Sequence, residues 1–209
     1  GQELDRKTFP DKWLEEVRRL TKKEQIGLVL ETQKNVYMDQ RAAEIYQQLF
    51  KEKTKDCTEE ERERIKRKNK YLYKNNMTEY DLNQEKTHKI CIVGSRDLIN
   101  EIRHQIESGC EIVQSVPFGK KWLLECLPTG CNKGNAVRYL NQQLGIEKAA
   151  SMSFGDGEND AELLLATGIG IAMENGSAEL KKIADAVCGT VQEDGIYKEL
   201  VNREIIKER

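Results

Sequence analysis

The sequence contains no long hydrophobic run. None of its apolar stretches approaches the roughly 20 residues that a helix needs to cross a bilayer. The first residues, Gly1 to Asp5, lack the basic segment and apolar stretch of a signal peptide. Hydrophobic residues make up 38% and charged residues 33% of the 209 positions, which is typical of a polar surface. We therefore predict a cytoplasmic protein without a membrane segment, with room for one large or two small domains.

The sequence also lacks a strong excess of either charge. Its net charge of −2 favours neither nucleic acids nor anionic membranes as partners. Residues 51–70 hold nine basic and six acidic side chains. An RNA-binding patch or an interaction helix is conceivable there, but interleaved charges are more typical of a solvated helix face. We predict no nucleic-acid partner.

Paired cysteines of the CxxC kind are missing as well. The six cysteines are scattered, and Cys91, Cys110 and Cys126 lie within apolar runs, where cysteine behaves as a small hydrophobic residue. His88 and Cys91 resemble half of a metal site, but no second pair has the spacing of a zinc site. Reduced, buried thiols are therefore the favoured interpretation.

The first 127 residues predict one α+β domain. Apolar residues at helical spacing, then short apolar runs bounded by polar turns, alternate along this part of the chain. A break at Pro128-Thr129-Gly130 predicts a domain boundary. The pattern predicts helices that include Trp13 to Leu20 and span 41–50 and 95–106, strands at 26–30, 35–38, 88–93, 110–116 and 121–127, and a turn at 117–120.

The second part of the chain alternates strands and helices, which predicts a parallel sheet with helices on its faces. Asn132 is expected to cap its first helix and Gly145 to close it. The pattern predicts helices at 133–144, 161–166, 177–184 and from 195, and strands ending at Gly155 and spanning 168–173 and 186–188.

An acidic turn follows the first strand of this second part. Asp156, Asn159 and Asp160 would converge at the end of the strand, where ligands bind in open α/β sheets. Their oxygens suit a hard cation such as Mg²⁺. The alternative is a glycine-rich turn whose acids favour the positive N-terminus of the next helix. The spacing is not that of a calcium-binding EF-hand loop.

Lys133 falls in the first turn of a predicted helix, where its charge opposes the helix dipole. A lysine beside Gly134 at this place suits an anion such as phosphate, which backbone N–H groups also attract. A solvent-facing lysine is the alternative, and the surrounding residues do not form a P-loop. Together, a phosphate-binding lysine and Mg²⁺-binding acids indicate phosphoryl-transfer chemistry.

Five segments of the second part resemble haloacid dehalogenase (HAD) superfamily phosphatases of the Cof type, in order and spacing. The resemblance implies an α/β protein with part of a HAD-like (Rossmannoid) parallel-sheet core and an α+β cap of the C2 type. Residues 1–127 would form the cap and 128–209 the C-terminal part of the core. The segments are Asn132-Lys133-Gly134-Asn135-Ala136, 154–160 (FGDGEND), 170–176 (GIAMENG), Ala184-Asp185 and 193–195 (EDG).

The resemblance also implies roles for individual residues. Lys133 matches the lysine that contacts the phosphoryl group and the nucleophile, and Asp156 the aspartate that binds Mg²⁺. Asn159 matches the asparagine that touches the substrate phosphate. Asp160 matches a second acid that supports the metal site or Lys133. The 173–175 stretch matches a structural loop near the site. The implied activity is Mg²⁺-dependent hydrolysis of small phosphoesters, such as sugar phosphates or phosphorylated cofactors, through an aspartyl-phosphate.

The nucleophile of this family is the first aspartate of an Asp-x-Asp pair, and the sequence contains no such pair. Its closest approximation, Asp81-Leu82-Asn83, follows a polar stretch rather than a strand. Thr32 could imitate the family's Ser/Thr phosphate contact, but its surroundings are typical of the cap. We therefore expect the nucleophile strand to precede Gly1 and this chain alone to have little activity. A catalytically inactive metal- or phosphate-binding module is the alternative, and the incomplete sheet could allow self-association.

Overall fold

The computed structural model describes residues 5–23, 26–68 and 75–208, which divide into two compact units. The N-terminal unit comprises 1–130 and the C-terminal unit 131–209. Within the described ranges, no helix is both long and apolar enough to cross a membrane.

The N-terminal unit is built on one six-stranded sheet. The elements are α1 (Asp11–Lys23), β1 (Gly27–Thr32), β2 (Val36–Met38), α2 (Gln40–Lys53), α3 (Glu59–Lys68), β3 (Asn75–Asn76), β4 (Thr87–Gly94), α4 (Arg96–Ile106), β5 (Cys110–Phe118) and β6 (Lys121–Pro128). The strand order is β3-β2-β1-β4-β6-β5, and all neighbouring strands are antiparallel except β2 and β3, which are parallel. Strand β1 pairs with β4, so that Leu30 lies opposite Ile90.

The two faces of this sheet bury separate apolar clusters, because side chains alternate along each strand. On one face, Leu28, Ile92 and Leu124 pack with apolar residues of α1 and α4. On the other face, Val29 and Val93 pack with residues of α2. The sheet is therefore the centre of a three-layer α/β/α arrangement within this unit.

Helix α2 lies unusually close to strand β1. The Asp39 carboxylate accepts hydrogen bonds from the backbone N–H of Ala42, at 2.7 Å, and from the N–H of Leu28 in β1, at 2.9 Å. It thus caps the helix and ties it to the strand. Burial raises the pKa of Asp39, against the effect of these N–H donors. A Cβ on Gly27 would lie 2.6 Å from the Cα of Ala42, so only glycine permits this approach.

The C-terminal unit contains a three-stranded parallel sheet, as the alternating pattern predicts. The elements are α5 (Lys133–Leu144), β7 (Met152–Gly155), α6 (Ala161–Ala166), β8 (Ile169–Met173), α7 (Ala178–Ile183), β9 (Ala186–Cys188) and α8 (Gly195–Asn202). The strand order is β7-β8-β9. Asn132 caps α5 by accepting the N–H of Asn135 at 2.8 Å, and Gly145 closes that helix with a left-handed φ of 65°.

The structure differs from the sequence-based expectation in a few places. The predicted turn at 117–120 is shorter, because β5 continues to Phe118 and only Gly119 and Lys120 connect it to β6. The φ of 60° at Gly119 is what a two-residue hairpin requires. The short strand β3 has no sequence signal. All six cysteines are free, but Cys57 and Cys131 are only half-buried.

The contact between Gly27 and α2 leads to a stability prediction. We expect Gly27→Ala to lower the free energy of unfolding by about 1–3 kcal/mol, because the added methyl group meets helix backbone that cannot move aside. Urea denaturation followed by circular dichroism measures the change. Gly94→Ala is the matched control, since its Cβ would lie 3.4 Å from its nearest neighbour, a side-chain carbon of Ile26. Equal losses in the two variants would contradict this account.

Candidate functional site

The turn after β7 is held together by the side chain of Asp160. One carboxylate oxygen accepts hydrogen bonds from the backbone N–H groups of Asp156, at 3.0 Å, and Gly157, at 3.1 Å. The Asp160 side chain is only 6% exposed. A Cβ on Gly155 would lie 2.5 Å from the Cβ of Asp160, so glycine at the end of β7 leaves room for the carboxylate. The acidic turn is therefore folded around Asp160.

The other oxygen of Asp160 pairs with the ammonium group of Lys133. Lys133 is the first residue of α5, and its side chain is 52% exposed. Helix α5 approaches α6 closely because residue 134 has no Cβ. A Cβ there would lie only 2.5 Å from the carbonyl oxygen of Glu162. Glycine at 134 thus permits the close helix packing that brings Lys133 to the turn.

The ion pair with Lys133 favours the ionised form of the Asp160 carboxyl. Burial of Asp160 opposes its ionisation, but the Lys133 ammonium and the two backbone N–H donors outweigh that effect and lower the pKa of Asp160. The carboxylate is therefore ionised at neutral pH and holds the lysine beside the turn.

Asp156 is an exposed carboxylate at the start of the turn. One of its oxygens lies 3.4 Å from the side-chain nitrogen of Asn175, which follows β8. Its backbone carbonyl accepts the N–H of Ser177 at 3.3 Å. The loop after β8 therefore supports Asp156 through a side-chain and a backbone contact. The resemblance implies a structural loop at 173–175 near the site, and the Asn175 contact agrees with this expectation. The contact from Ser177 has no signal of its own in the sequence.

Asn159 is exposed, and its side chain has no hydrogen-bond partner among the described residues. Its side-chain oxygen lies over Gly157, where a Cβ would come within 2.6 Å of it. The amide is thus available to a ligand next to Asp156. The substrate contact expected for Asn159 stays a prediction.

The carboxylates of this turn fit one side of a Mg²⁺ site. Mg²⁺ usually takes one or two protein carboxylates and completes its shell with water and substrate phosphate. Asp156 is free to serve as such a ligand, whereas both oxygens of Asp160 already accept protein donors. Among the described residues, no group of three or more His, Cys, Asp or Glu side chains could hold a metal. The contacts favour Asp156 as the direct ligand and Asp160 as its support, and the metal role of Asp160 stays a prediction.

The start of α5 offers donors for an anion. The side chain of Asn132 accepts a hydrogen bond from the N–H of Asn135. The N–H groups of Lys133 and Gly134 have no acceptor in the described part of the chain. Free N–H groups at a helix N-terminus, together with the helix dipole and an ammonium group, suit phosphate. The site thus places a carboxylate that suits a cation near N–H and ammonium donors that suit an anion.

The described C-terminal unit thus has a parallel sheet with an acidic turn at the end of β7 and a lysine at the start of α5. The chain belongs to the haloacid dehalogenase-like hydrolase family, whose model matches residues 1–200. The resemblance read from the five segments is confirmed at this level.

Two curated relatives are named for a more specific activity than the family is. Over 92 residues the chain is 40% identical to the HMP-PP phosphatase of Cronobacter sakazakii, a region that covers 44% of this chain and 34% of the relative. Over 95 residues it is 35% identical to the HMP-PP phosphatase of Serratia proteamaculans, covering 46% and 35%. The matched region thus spans about a third of the length of these relatives.

Solved structures confirm the α/β, HAD-like fold. A haloacid dehalogenase-like hydrolase from B. subtilis superimposes with a TM-score of 0.71 and 18% identity, covering 99% of this chain and 74% of the other. A HAD subclass IIB sugar phosphatase gives a TM-score of 0.70 and 20% identity, covering 96% and 69%. At these identities the likeness concerns the fold alone.

The double role of Asp160 leads to a prediction about stability and pH. Asp160→Asn keeps an acceptor for the turn but loses the ion pair, whereas Asp160→Ala also leaves two N–H groups without an acceptor. We expect the alanine variant to lose about 1–3 kcal/mol more free energy of unfolding than the asparagine variant. Thermal and urea denaturation would measure both.

The pH dependence follows from the lowered pKa of Asp160. The ion pair contributes its full stability above the ordinary carboxyl pKa of about 3.9 and loses it as the pH falls toward the lowered pKa of the folded protein. The stability difference between wild type and Asp160→Asn should therefore shrink below about pH 4. Asp185→Asn is the control, since Asp185 accepts the Gly170 N–H at 2.8 Å without an ion pair in the described structure. A difference for Asp160→Asn that is constant with pH would contradict the ionised pair.

Proposed function

We propose that this chain carries the metal- and phosphate-binding part of a Mg²⁺-dependent phosphatase that hydrolyses small phosphoesters. The observation that supports this most directly is the contact between Lys133 and Asp160 beside Asp156, at the carboxyl end of β7. Membership in the haloacid dehalogenase-like hydrolase family adds support. In this proposal residues 1–127 act as the cap and 128–209 as part of the core, in a protein of the cytoplasm.

The chain's own residues would act mainly by binding and positioning. Lys133 and the N–H groups at the start of α5 would hold the phosphoryl oxygens, and the Asn159 amide would donate to one of them. Asp160 would hold the lysine in place through their ion pair. Asp156 would bind Mg²⁺, which neutralises charge on the phosphoryl group when bound.

The chemical step proposed is transfer of the phosphoryl group to an aspartate, followed by hydrolysis of the aspartyl-phosphate. That nucleophile is absent from the 209 residues, which contain no Asp-x-Asp pair. We therefore expect this chain by itself to bind but hardly to turn over a phosphoester.

The substrate class proposed is a small phosphorylated molecule. The HMP-PP phosphatases of Cronobacter sakazakii and Serratia proteamaculans support this class. The sequence resemblance extends it to sugar phosphates and phosphorylated cofactors.

A second candidate function is a catalytically inactive module that binds metal and phosphate. The observation that favours it is the same missing Asp-x-Asp pair, combined with a site in which the binding residues are all present. The two candidates share the binding chemistry and differ in turnover.

Titration of the chain with Mg²⁺, and with inorganic phosphate in the presence of Mg²⁺, tests the shared chemistry. We expect Asp156→Ala to weaken Mg²⁺ binding at least about tenfold, because it removes the exposed carboxylate that faces a ligand. Glu158→Gln, a change of an exposed acid in the same turn, should leave Mg²⁺ affinity within about twofold, since single solvated charges contribute little. Isothermal titration calorimetry is the measurement. Unchanged Mg²⁺ affinity in Asp156→Ala would overturn the metal assignment.

Hydrolysis of an aryl phosphate by the same preparation distinguishes the two candidates. We expect turnover barely above that of buffer from the 209-residue chain. Mg²⁺-dependent phosphate release that Asp156→Ala abolishes would show that a nucleophile other than an Asp-x-Asp aspartate is at work. If joining the chain to a core segment that carries Asp-x-Asp does not produce turnover, the inactive module becomes the better description.

A further inference from the structure

Two of the six cysteines lie together on one face of the N-terminal sheet. Cys126 of β6 pairs with Ile112 of β5, so Cys110, two residues earlier on β5, is its diagonal neighbour on the same face. Both side chains belong to the apolar cluster that packs with α1 and α4. Their thiol groups hydrogen-bond each other. The fold therefore brings two thiols from neighbouring strands into contact.

The hydrogen bonds give the two thiols different chemistry. The Cys110 thiol donates to the carbonyl oxygen of Ile106 at 3.4 Å, and its sulfur accepts the Cys126 thiol. This contact with Cys126 lowers the pKa of Cys110. The same contact, together with burial, raises the pKa of Cys126. Since the thiolate is the reactive form of cysteine, Cys110 is the more reactive sulfur of the pair.

Cys110 is also the sulfur that solvent reaches. It is 8% exposed, whereas Cys126 is 0% exposed. Cys110 is the first residue of β5 and directly follows a short 3-10 helix, Glu107–Gly109. A small oxidant can therefore meet one sulfur of the pair while the other stays shielded beside it.

We propose that Cys110 and Cys126 are a peroxide-sensitive dithiol that forms a disulfide within the N-terminal unit. The Cys110 thiolate would attack hydrogen peroxide, which gives a sulfenic acid and releases hydroxide. The Cys126 sulfur would then attack the sulfur of the sulfenic acid, so that an S–S bond forms and the S–O bond breaks. The thiol proton and the hydroxyl groups leave as water. The two thiols are oxidised by two electrons, and the peroxide is reduced to water.

The backbone allows this disulfide after a small shift. Diagonal residues on neighbouring strands have Cα atoms about 7–8 Å apart, and a disulfide needs about 4.4–6.8 Å. A β-bulge after Ile112 interrupts the register of β5 with β6, so the start of β5 can approach β6 without the rest of the strand. A disulfide closed with strain is reduced more readily than a relaxed one. The disulfide is therefore expected to be reversible.

The other two buried cysteines have different neighbours. Cys91 belongs to the cluster on the opposite face of the sheet, and its thiol lies 3.9 Å from a Glu31 carboxylate oxygen and 3.7 Å from one of Glu125. Burial raises the pKa of Cys91. Cys188 contacts the sulfur of Met173 at 3.4 Å. Both cysteines are expected to stay reduced.

The experiment treats the folded chain with hydrogen peroxide and counts its thiols. It uses the double variant Cys57→Ser with Cys131→Ser, because both residues are half-buried and trypsin leaves Cys126 and Cys131 in one peptide. Four of the six thiols remain, and we expect two of them to be lost and then restored by dithiothreitol. Mass spectrometry of a non-reduced digest should find the peptide 104–120 joined to 122–133.

Single substitutions in this background identify the sulfur that peroxide attacks. In Cys126→Ala, the sulfenic acid at Cys110 has no thiol to meet, so the sulfenic acid reagent dimedone should label Cys110. In Cys110→Ala, dimedone should leave Cys126 unlabelled. Cys188→Ala, which removes a buried thiol elsewhere, is the matched control and should change the rate of disulfide formation less than about twofold.

Urea distinguishes reaction in the folded protein from reaction after unfolding. Below the unfolding transition, urea should change the rate of disulfide formation less than about twofold. A rate that rises steeply with urea, four thiols after treatment, or a disulfide to Cys91 or Cys188 would each overturn the proposal. The readout involves neither Mg²⁺ nor turnover, so its result is independent of the proposed function.

Discussion

The candidate site depends on one carboxylate that serves two parts of the chain at once. Asp160 holds the turn after β7 through two backbone N–H groups and holds Lys133 through its other oxygen. A buried carboxylate needs such partners, because each lost donor would leave charge in a poorly solvated place. The position of the Lys133 ammonium group is therefore a consequence of how the acidic turn folds. The same constraint leaves Asp156 as the carboxylate that remains open to a ligand.

The close packing around this carboxylate requires glycine at two positions, because a larger side chain would not fit there. Gly155 leaves space for Asp160, and Gly134 lets α5 approach α6. Glycine at both places is thus part of the site, although neither residue carries a functional group. In the N-terminal unit, Gly27 allows the same kind of approach between α2 and β1.

The strands and helices with clear periodicity could be predicted from the sequence. Asn132, Ser177 and Gly145 carry recognisable capping signals, and the structure places them at the ends of α5 and α7 as expected. The contact of Lys133 with Asp160 joins residues 27 positions apart, and spacing alone cannot reveal it. The hydrogen bond from Asn175 to Asp156 likewise depends on the parallel order of β7 and β8. Strand β3 has two residues and, among the described strands, pairs only with β2, so its sequence shows no alternating pattern.

The pairing of β1 with β4 also has a consequence for folding during synthesis. Leu30 lies opposite Ile90, so 60 residues separate the two partners along the chain. At the usual rates of protein synthesis, about 5–20 residues per second, β4 is synthesised roughly 3–12 s after β1. The C-terminal sheet joins strands that follow each other closely, and its pairs can form almost as soon as they leave the ribosome. Among the described strand pairs, β1 and β4 are therefore the two whose syntheses lie furthest apart in time.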